Sequence, residues 1–321
     1  MTDSDDFDVL DRKILHALMV DGRAPVQRVA EVLGVSPQTV HRRYSRLRAE
    51  AGLRVVGQVR PEAVGDEEWL VRVRCAPDRT GSVARALARH AETSWVHVAS
   101  GGTEIMCVAR AGAETGPGLL RALPNTPRVT QISAHCLLHT FYGGEFSVVT
   151  KTGPLDDAQV AALRFAAGTD GCPLSETDRA LTAVLAQDGR AGYPDLARAA
   201  GCSVSTAQRR LTELRRHGVL YFDVDHDPRI LGRTKLAMLW LSVGPAGLTE
   251  AGRALAGHPE VSFAAATTGP TNLYAAVNCT GNRDLHRYLT GPVASLPGLI
   301  AVETAPITET VKRAGVVVTP R

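Results

Sequence analysis

The sequence predicts an α+β chain in which two winged helix-turn-helix modules alternate with two ferredoxin-like βαββαβ modules. Three observations predict it. A segment near the start recurs further along the chain. Each copy opens with three helix-length apolar patterns punctuated by glycine. Each then continues with strand-like alternation broken by amphipathic stretches.

The repeat fixes the organisation. Asp11 aligns with Asp178, a shift of 167 positions, and the match runs without a gap to Gly65 and Gly232. Arg12/Arg179, the DGRA runs at Asp21 and Asp188, Ala30/Ala197, Gly34/Gly201, Arg42/Arg209, Arg43/Arg210 and Leu47/Leu214 are identical pairs. Roughly a third of positions agree, against a chance level of about one in fifteen. Beyond this the register slips by one, and "SGGTEI" at Ser100 meets "TGPTNL" at Thr268. The expected modules are residues 1–62, 66–145, 175–229 and 233–314, with 146–174 as linker. Within that linker "LDDAQVAALRFAA" reads as a short helix, with Leu155, Val160, Leu163 and Phe165 free to pack.

In the first copy, Val9, Leu10, Ile14, Ala17 and Leu18 have helical spacing, and Gly22 ends the run. Val26, Val29, Ala30 and Leu33 form one face of a second helix that stops at Gly34. Ser36 is placed to cap a third helix, with Pro37 at its first position. Val40, Tyr44 and Leu47 make its inner stripe, and "LRVVGQVRP" follows as a strand. Gln38, Thr39, His41, Arg42, Arg43 and Arg46 fall on the other side. Such side chains, with Ser36 and the free N–H groups of the helix start, suit base edges and phosphates. Residues 11–60 hold ten Arg/Lys against four Asp/Glu, a local +6.

The second copy repeats the plan. Ser203 caps its third helix, Ala207, Leu211 and Leu214 face inward, and Ser205, Thr206, Gln208, Arg209 and Arg210 face outward. Its strand reads "FDVDHDP", so Asp223, Asp225 and Asp227 are expected to repel phosphate. The two copies are therefore expected to share the DNA work unequally.

After each strand comes a βαββαβ pattern: "WLVRVRCAP", "TGSVARALARHA", "SWVHVASGG", "TEIMCVARAG", "ETGPGLLRALPN" and "RVTQISAHCLLHTF" in the first half. The second half repeats it from "KLAMLWLSV" to "GLIAVETAPITETV". Sheets of this kind pair edge to edge, so the halves are expected to form an internal pseudo-dimer. Chemistry is sparse here. Strand alternation puts His135 and His139 on one face and Cys136 on the other, which argues against a metal site, and no cofactor is expected.

Composition excludes several classes. Of 321 residues 44% are hydrophobic and 21% charged, as in ordinary globular chains, and the net charge is only +3. No apolar run reaches the ~18 residues of a membrane span. The acidic start "MTDSDDFD" lacks a signal-peptide core. Six cysteines without a CxxC pair suit a reducing compartment and free thiols.

The stretch "LDRKILHALMVDGRAPVQRVAEVLGVSPQTVHRRYSRL", joined to a βαββαβ module with a glycine turn, resembles the Lrp/AsnC (feast/famine) family of transcription regulators. The tandem arrangement resembles two such subunits fused. The resemblance implies RAM/ACT-like βαββαβ domains and double-stranded DNA as partner. It also implies an amino acid or related effector bound between those domains, and a homodimer or higher even oligomer in the bacterial cytoplasm, at the nucleoid. It implies effector contacts at Ser100, Gly101, Gly102 and Glu104, and at Thr268, Gly269 and Asn272. The family's turn often reads Gly-x-x-Asp. Here Glu104 keeps the charge and Asn272 does not, so the first half is expected to hold the better site. Two alternatives stand beside this non-enzymatic reading. One is an enzyme similar to siroheme decarboxylases, which share this fold as paired or fused halves. Their Ile-Arg-Arg-Ile-Gly-like strand is replaced here by "LRVVGQVRP" and "LYFDVDHDP". The other is a ligand-sensing scaffold that has lost DNA binding.

Overall fold

A computed structural model describes residues 7–112, 118–126, 129–144, 151, 153–168 and 170–318. Most of the acidic start, 145–150 of the linker, and 113–117 before the first half's second helix lie outside them. The chain divides into two compact units, Met1–Val64 with Gly144–Gly232, and Gly65–Gly143 with Arg233–Arg321.

The first unit holds both helix-turn-helix copies. Helices α1 (Val9–Val20), α2 (Val26–Leu33) and α3 (Pro37–Glu50) lead to strand β1 (Arg54–Val59). Helix α6 (Asp157–Leu163) comes from the linker, followed by α7 (Glu176–Gln187), α8 (Tyr193–Ala199), α9 (Val204–Arg216) and strand β6 (Leu220–Asp225). The predicted caps form. Ser36 Oγ accepts from the Thr39 N–H and Ser203 Oγ from the Thr206 N–H, both at 3.1 Å. Ile14, Leu18, Leu47, Leu181, Leu185, Leu211 and Leu214 form one core drawn from both copies. Removing one such leucine costs about 2–5 kcal/mol. Val9 departs from the expected stripe and is exposed. The linker is structural: Leu155 and Leu163 are buried against Ala17, Val29 and Val40, and the Leu155 N–H donates to His16 Nδ1 at 3.1 Å.

β1 and β6 form a two-stranded antiparallel ladder running from Arg54–Asp225 to Val59–Leu220. Under the 167-residue shift the pair Val56–Asp223 maps onto itself, so a pseudo-twofold axis passes through it. The DGRA loops meet near this axis. Arg23 donates to the carbonyls of Gly189 (2.8 Å) and Ala191 (3.1 Å). Arg190 answers symmetrically, to Gly22 (2.6 Å) and Ala24 (3.0 Å). Glycine is required inside the clasp: a Cβ at Gly22 would lie 2.8 Å from Val55 Cγ1, and one at Gly189 2.9 Å from the Val55 carbonyl.

The second unit holds both βαββαβ modules. The first comprises β2 (Glu67–Cys75), α4 (Thr80–Arg89), β3 (Thr93–Ala99), β4 (Glu104–Ala111), α5 (Gly118–Ala122) and β5 (Val129–Tyr142). The second comprises β7 (Lys235–Val243), α10 (Leu248–Gly257), β8 (Val261–Thr267), β9 (Leu273–Cys279), α11 (Asn282–Tyr288) and β10 (Leu299–Arg313), with β11 (Val316–Val317) added to its end. The last strand of each module is long enough to serve two partners. β5 pairs with β2 and then β8, while β10 pairs with β7 and then β3. All neighbours are antiparallel, and the eight strands β2–β5 and β7–β10 close into a ring without a free edge. Helices α4 and α10 cover the outer faces over separate cores. Leu70, Ala99, Met106, Met238, Trp240, Tyr274 and Ala305 fill the inside.

The expectation for His135 and His139 changes here. The ladder slips between Leu137 and His139, which breaks the alternation. His135 is buried beside Trp240, whereas His139 is exposed and stacks edge-on against Phe141.

Candidate nucleic-acid interface and effector site

Helices α3 and α9 bury their inner stripes and present the opposite faces outward. Gln38, His41 and Arg42 are exposed, as are Ser205, Gln208 and Arg209, while Thr39 and Thr206 are half-buried beside their caps. The arginines repeated beside them, Arg43 and Arg210, do something else. Arg43 reaches back to Asp11 (3.1 Å) and Asp8 (2.6 Å), and Arg210 to Asp178 (2.6 Å) and Glu213 (2.7 Å). Asp11 and Asp178 are fully buried. Burial works against the charge of Asp178, but the Arg210 guanidinium and the Ser175 hydroxyl hold it below the ordinary carboxylate range. Glu213, pulled on mainly against its desolvation by Arg209, lies low as well. Arg46 pairs with Glu50 at 2.9 Å and approaches Asp11 at 3.7 Å. Sequence placed all of these arginines on the DNA face. The signal for their second role was present: Asp11/Asp178 and Arg43/Arg210 recur together in both copies.

Two of the three aspartates after α9 are also engaged within the fold. Asp225 is buried and its charge is met by Arg54 at 2.6 Å. Asp223, partly buried on the pseudo-dyad, is pushed up to about 6 by burial and by the neighbouring Asp225, although its bond from the Val224 N–H opposes this.

In the ring, the two glycine turns have opposite surroundings. Gly101 and Gly102 have positive φ (70° and 90°), and a Cβ at either would meet open space. Ser100 (φ 53°) adjoins them and donates to Glu104 at 2.6 Å. Gly269 (φ 103°) is pressed onto His135, whose Nδ1 would lie 2.4 Å from an added Cβ and donates to the Thr268 carbonyl at 2.8 Å. Thr268 also binds the Cys136 backbone through its Oγ1, at 2.9 Å. Asn272 is occupied with the backbone of Val243, donating to its carbonyl at 2.8 Å and accepting from its N–H at 2.9 Å.

Glu104 is buried and bonded to Arg72 at 2.8 Å. The same guanidinium meets Glu303, from the other module, at 2.6 Å and lies 4.9 Å from the Trp240 ring centroid. Glu303, against the cost of burial and with help from Glu104, holds Arg72 above its usual range. Trp240 is fully buried, and its Nε1 meets no acceptor among the described residues. Sequence reasoning missed Arg72 and Glu303. The signal for Arg72 was its parity in "WLVRVRC", which puts it on one face with Leu70. Nothing local marked its partner.

A capped helix-turn-helix pair joined to a paired βαββαβ ring, with the family matches below, marks a DNA-binding transcriptional regulator that responds to a ligand. Comparisons agree. The AsnC-type helix-turn-helix domain matches residues 7–48 and 174–215, and the Lrp/AsnC ligand binding domain matches 236–317. The chain belongs to the Lrp/AsnC family, in a tandem-duplicated form. It is similar to the HTH-type transcriptional regulator FL11 of Pyrococcus horikoshii, 28% identical over 141 residues that make up 44% of this chain and 93% of that protein. A second HTH-type regulator, from Pyrococcus abyssi, is 29% identical over 140 residues, 43% of this chain and 89% of its own. These relatives are archaeal and give the expected bacterial nucleoid location no support. The siroheme decarboxylase NirDL, solved with an iron-uroporphyrin III analogue, shares the fold over 95% of this chain and 93% of its own, with TM-score 0.65 and 15% identity.

Proposed function

We propose that this chain regulates transcription by binding DNA through Gln38, His41 and Arg42 of α3 and Ser205, Gln208 and Arg209 of α9. Ser36, Thr39, Ser203 and Thr206 build the helix starts that face phosphate, while Arg43 and Arg210 brace the helices from behind. The observation that carries this reading is the exposure of those side chains on two capped helices of one unit. A mobility-shift assay tests it. Salt-sensitive binding that Arg42→Ala/Arg209→Ala weakens supports the reading, and no binding at low salt refutes it.

The effector is proposed to be an amino acid or a similar ammonium compound at the open turn Ser100–Gly102, with Glu104 as its anchor. Glu104 can turn from Arg72 to a bound ammonium because Glu303 still holds that guanidinium. The exchange couples the first module's turn to the second module's last strand, and so gives the ligand a means to favour one arrangement of the ring. The second turn, filled by His135 and by the Asn272 backbone bonds, is proposed to be structural. Calorimetry across the amino acids tests this: binding lost in Glu104→Gln and kept in Asn272→Ala supports it, and the reverse refutes it. No catalysis is proposed. The fused chain already supplies the pairing of two subunits, and larger assemblies are proposed to be even multiples of it. The enzyme alternative is tested by absorbance after mixing with siroheme.

A further inference from the structure

The 167-residue shift lets the two recognition faces be compared position by position. The outward face of α9 is lined by Ser205, Gln208, Arg209, Thr212, Glu213 and Arg216. The matching positions of α3 are Gln38, His41, Arg42, Ser45, Arg46 and Ala49, and only Arg42/Arg209 is shared. Identity is kept instead where the fold uses the side chain: Ser36/Ser203 as caps, Arg43/Arg210 on the buried aspartates, Leu47/Leu214 in the core. The framework is therefore two-fold, and the surface it presents is not.

We propose that the chain recognises a DNA site without two-fold symmetry, α3 and α9 reading half-sites of different sequence, with Glu213 as the residue that most distinguishes the second. This rests on the reading of α3 and α9 as the DNA-contacting helices. Arg209 is held by Glu213 at 3.0 Å. Arg42 has no carboxylate partner among the described residues, because the position of Glu213 is taken by Arg46, itself turned to Glu50. Arginine suits guanine O6 and N7, glutamine suits adenine, and a carboxylate accepts from cytosine N4. His41 against Gln208 and Arg46 against Glu213 thus change both the hydrogen-bond pattern and the local charge. Two identical subunits would have to read both half-sites alike, whereas one fused chain does not.

Selection of bound duplexes from a random pool, with the whole chain, tests this. The expected consensus lacks a dyad. Palindromes built from each selected half should bind at least roughly tenfold more weakly at fixed salt, the cost of about one mismatched pair. The exchange Ser205→Gln, Gln208→His, Thr212→Ser, Glu213→Arg, Arg216→Ala copies the α3 face onto α9 and should move preference to the palindrome of the α3 half-site. Its melting temperature confirms folding. A palindromic consensus, or equal affinity of the native chain for its site and one palindrome, overturns the inference while leaving DNA binding intact. Absence of any DNA binding overturns the underlying reading along with it.

Discussion

The clasp between the DGRA loops makes the sharpest prediction about stability. Arg23 places its guanidinium on two backbone carbonyls of the other copy, with Nη1 to Gly189 at 2.8 Å and both Nη atoms to Ala191 at 3.1 Å. Hydrogen bonds from a charged donor contribute about 1.5–3 kcal/mol each when neither side is exposed, and shared acceptors add less than the sum. Arg23→Ala should therefore destabilise the first unit by about 2–4 kcal/mol. Thermal unfolding followed by circular dichroism should show a loss of roughly 5–12 °C in the transition of that unit. Arg190→Ala should cost a similar amount, and the double variant less than the sum, since either change alone loosens the same contact. Arg23→Lys is the decisive control. Lysine keeps the charge but cannot fork onto two carbonyls, so it should recover less than half of the loss. If Arg23→Lys melts with the native chain, or Arg23→Ala changes the transition by less than ~0.5 kcal/mol, the clasp is ornament and the reasoning fails.

Three further outcomes follow from the same geometry. Arg43→Ala should destabilise the first unit by about 3 kcal/mol, because it strips a guanidinium from fully buried Asp11, whereas Arg42→Ala should leave stability unchanged and lower the salt slope of DNA binding by about one; urea melts and binding isotherms separate the two. Asp223 has its folded pKa raised from 3.8 to about 6, so its proton stabilises the fold: stability should decline as pH rises from about 4 through 6, and Asp223→Asn should flatten that window in urea midpoints. Burial alone lowers the pKa of His16, whose Nδ1 accepts from Leu155 on the linker segment, so His16→Ala should free that segment, seen as faster amide exchange over 155–163.

Local patterns made the elements legible. Glycine stops, serine caps and inner stripes placed α1–α3 and α7–α9, because these signals act within a few residues. The ring was legible only as an expectation of edge pairing. Its closure depends on β5 and β10 each outrunning their first partner, and on matching ladder slips at Leu137–His139 and Ile307–Glu309 that no periodicity announces. Candidate site residues were readable by side-chain type but not by occupation. An exposed-face arginine looks the same in sequence whether it stands out in solvent, as Arg42 does, or braces Asp11, as Arg43 does. Arg72 found its partner Glu303 across 231 positions, and the DGRA arginines found carbonyls, which carry no residue identity at all.

The pair on the pseudo-dyad, Val56 facing Asp223, has an evolutionary consequence. A true two-fold axis between identical subunits can hold only like beside like, so valine would meet valine or acid would meet acid. A fused chain is released from that rule, and here it has set a buried hydrocarbon against a carboxylate. At this position the two halves are no longer interchangeable. Each half separated and paired with its own copy would meet its like across that axis, valine on valine or carboxylate on carboxylate, a pairing the fused chain does not contain.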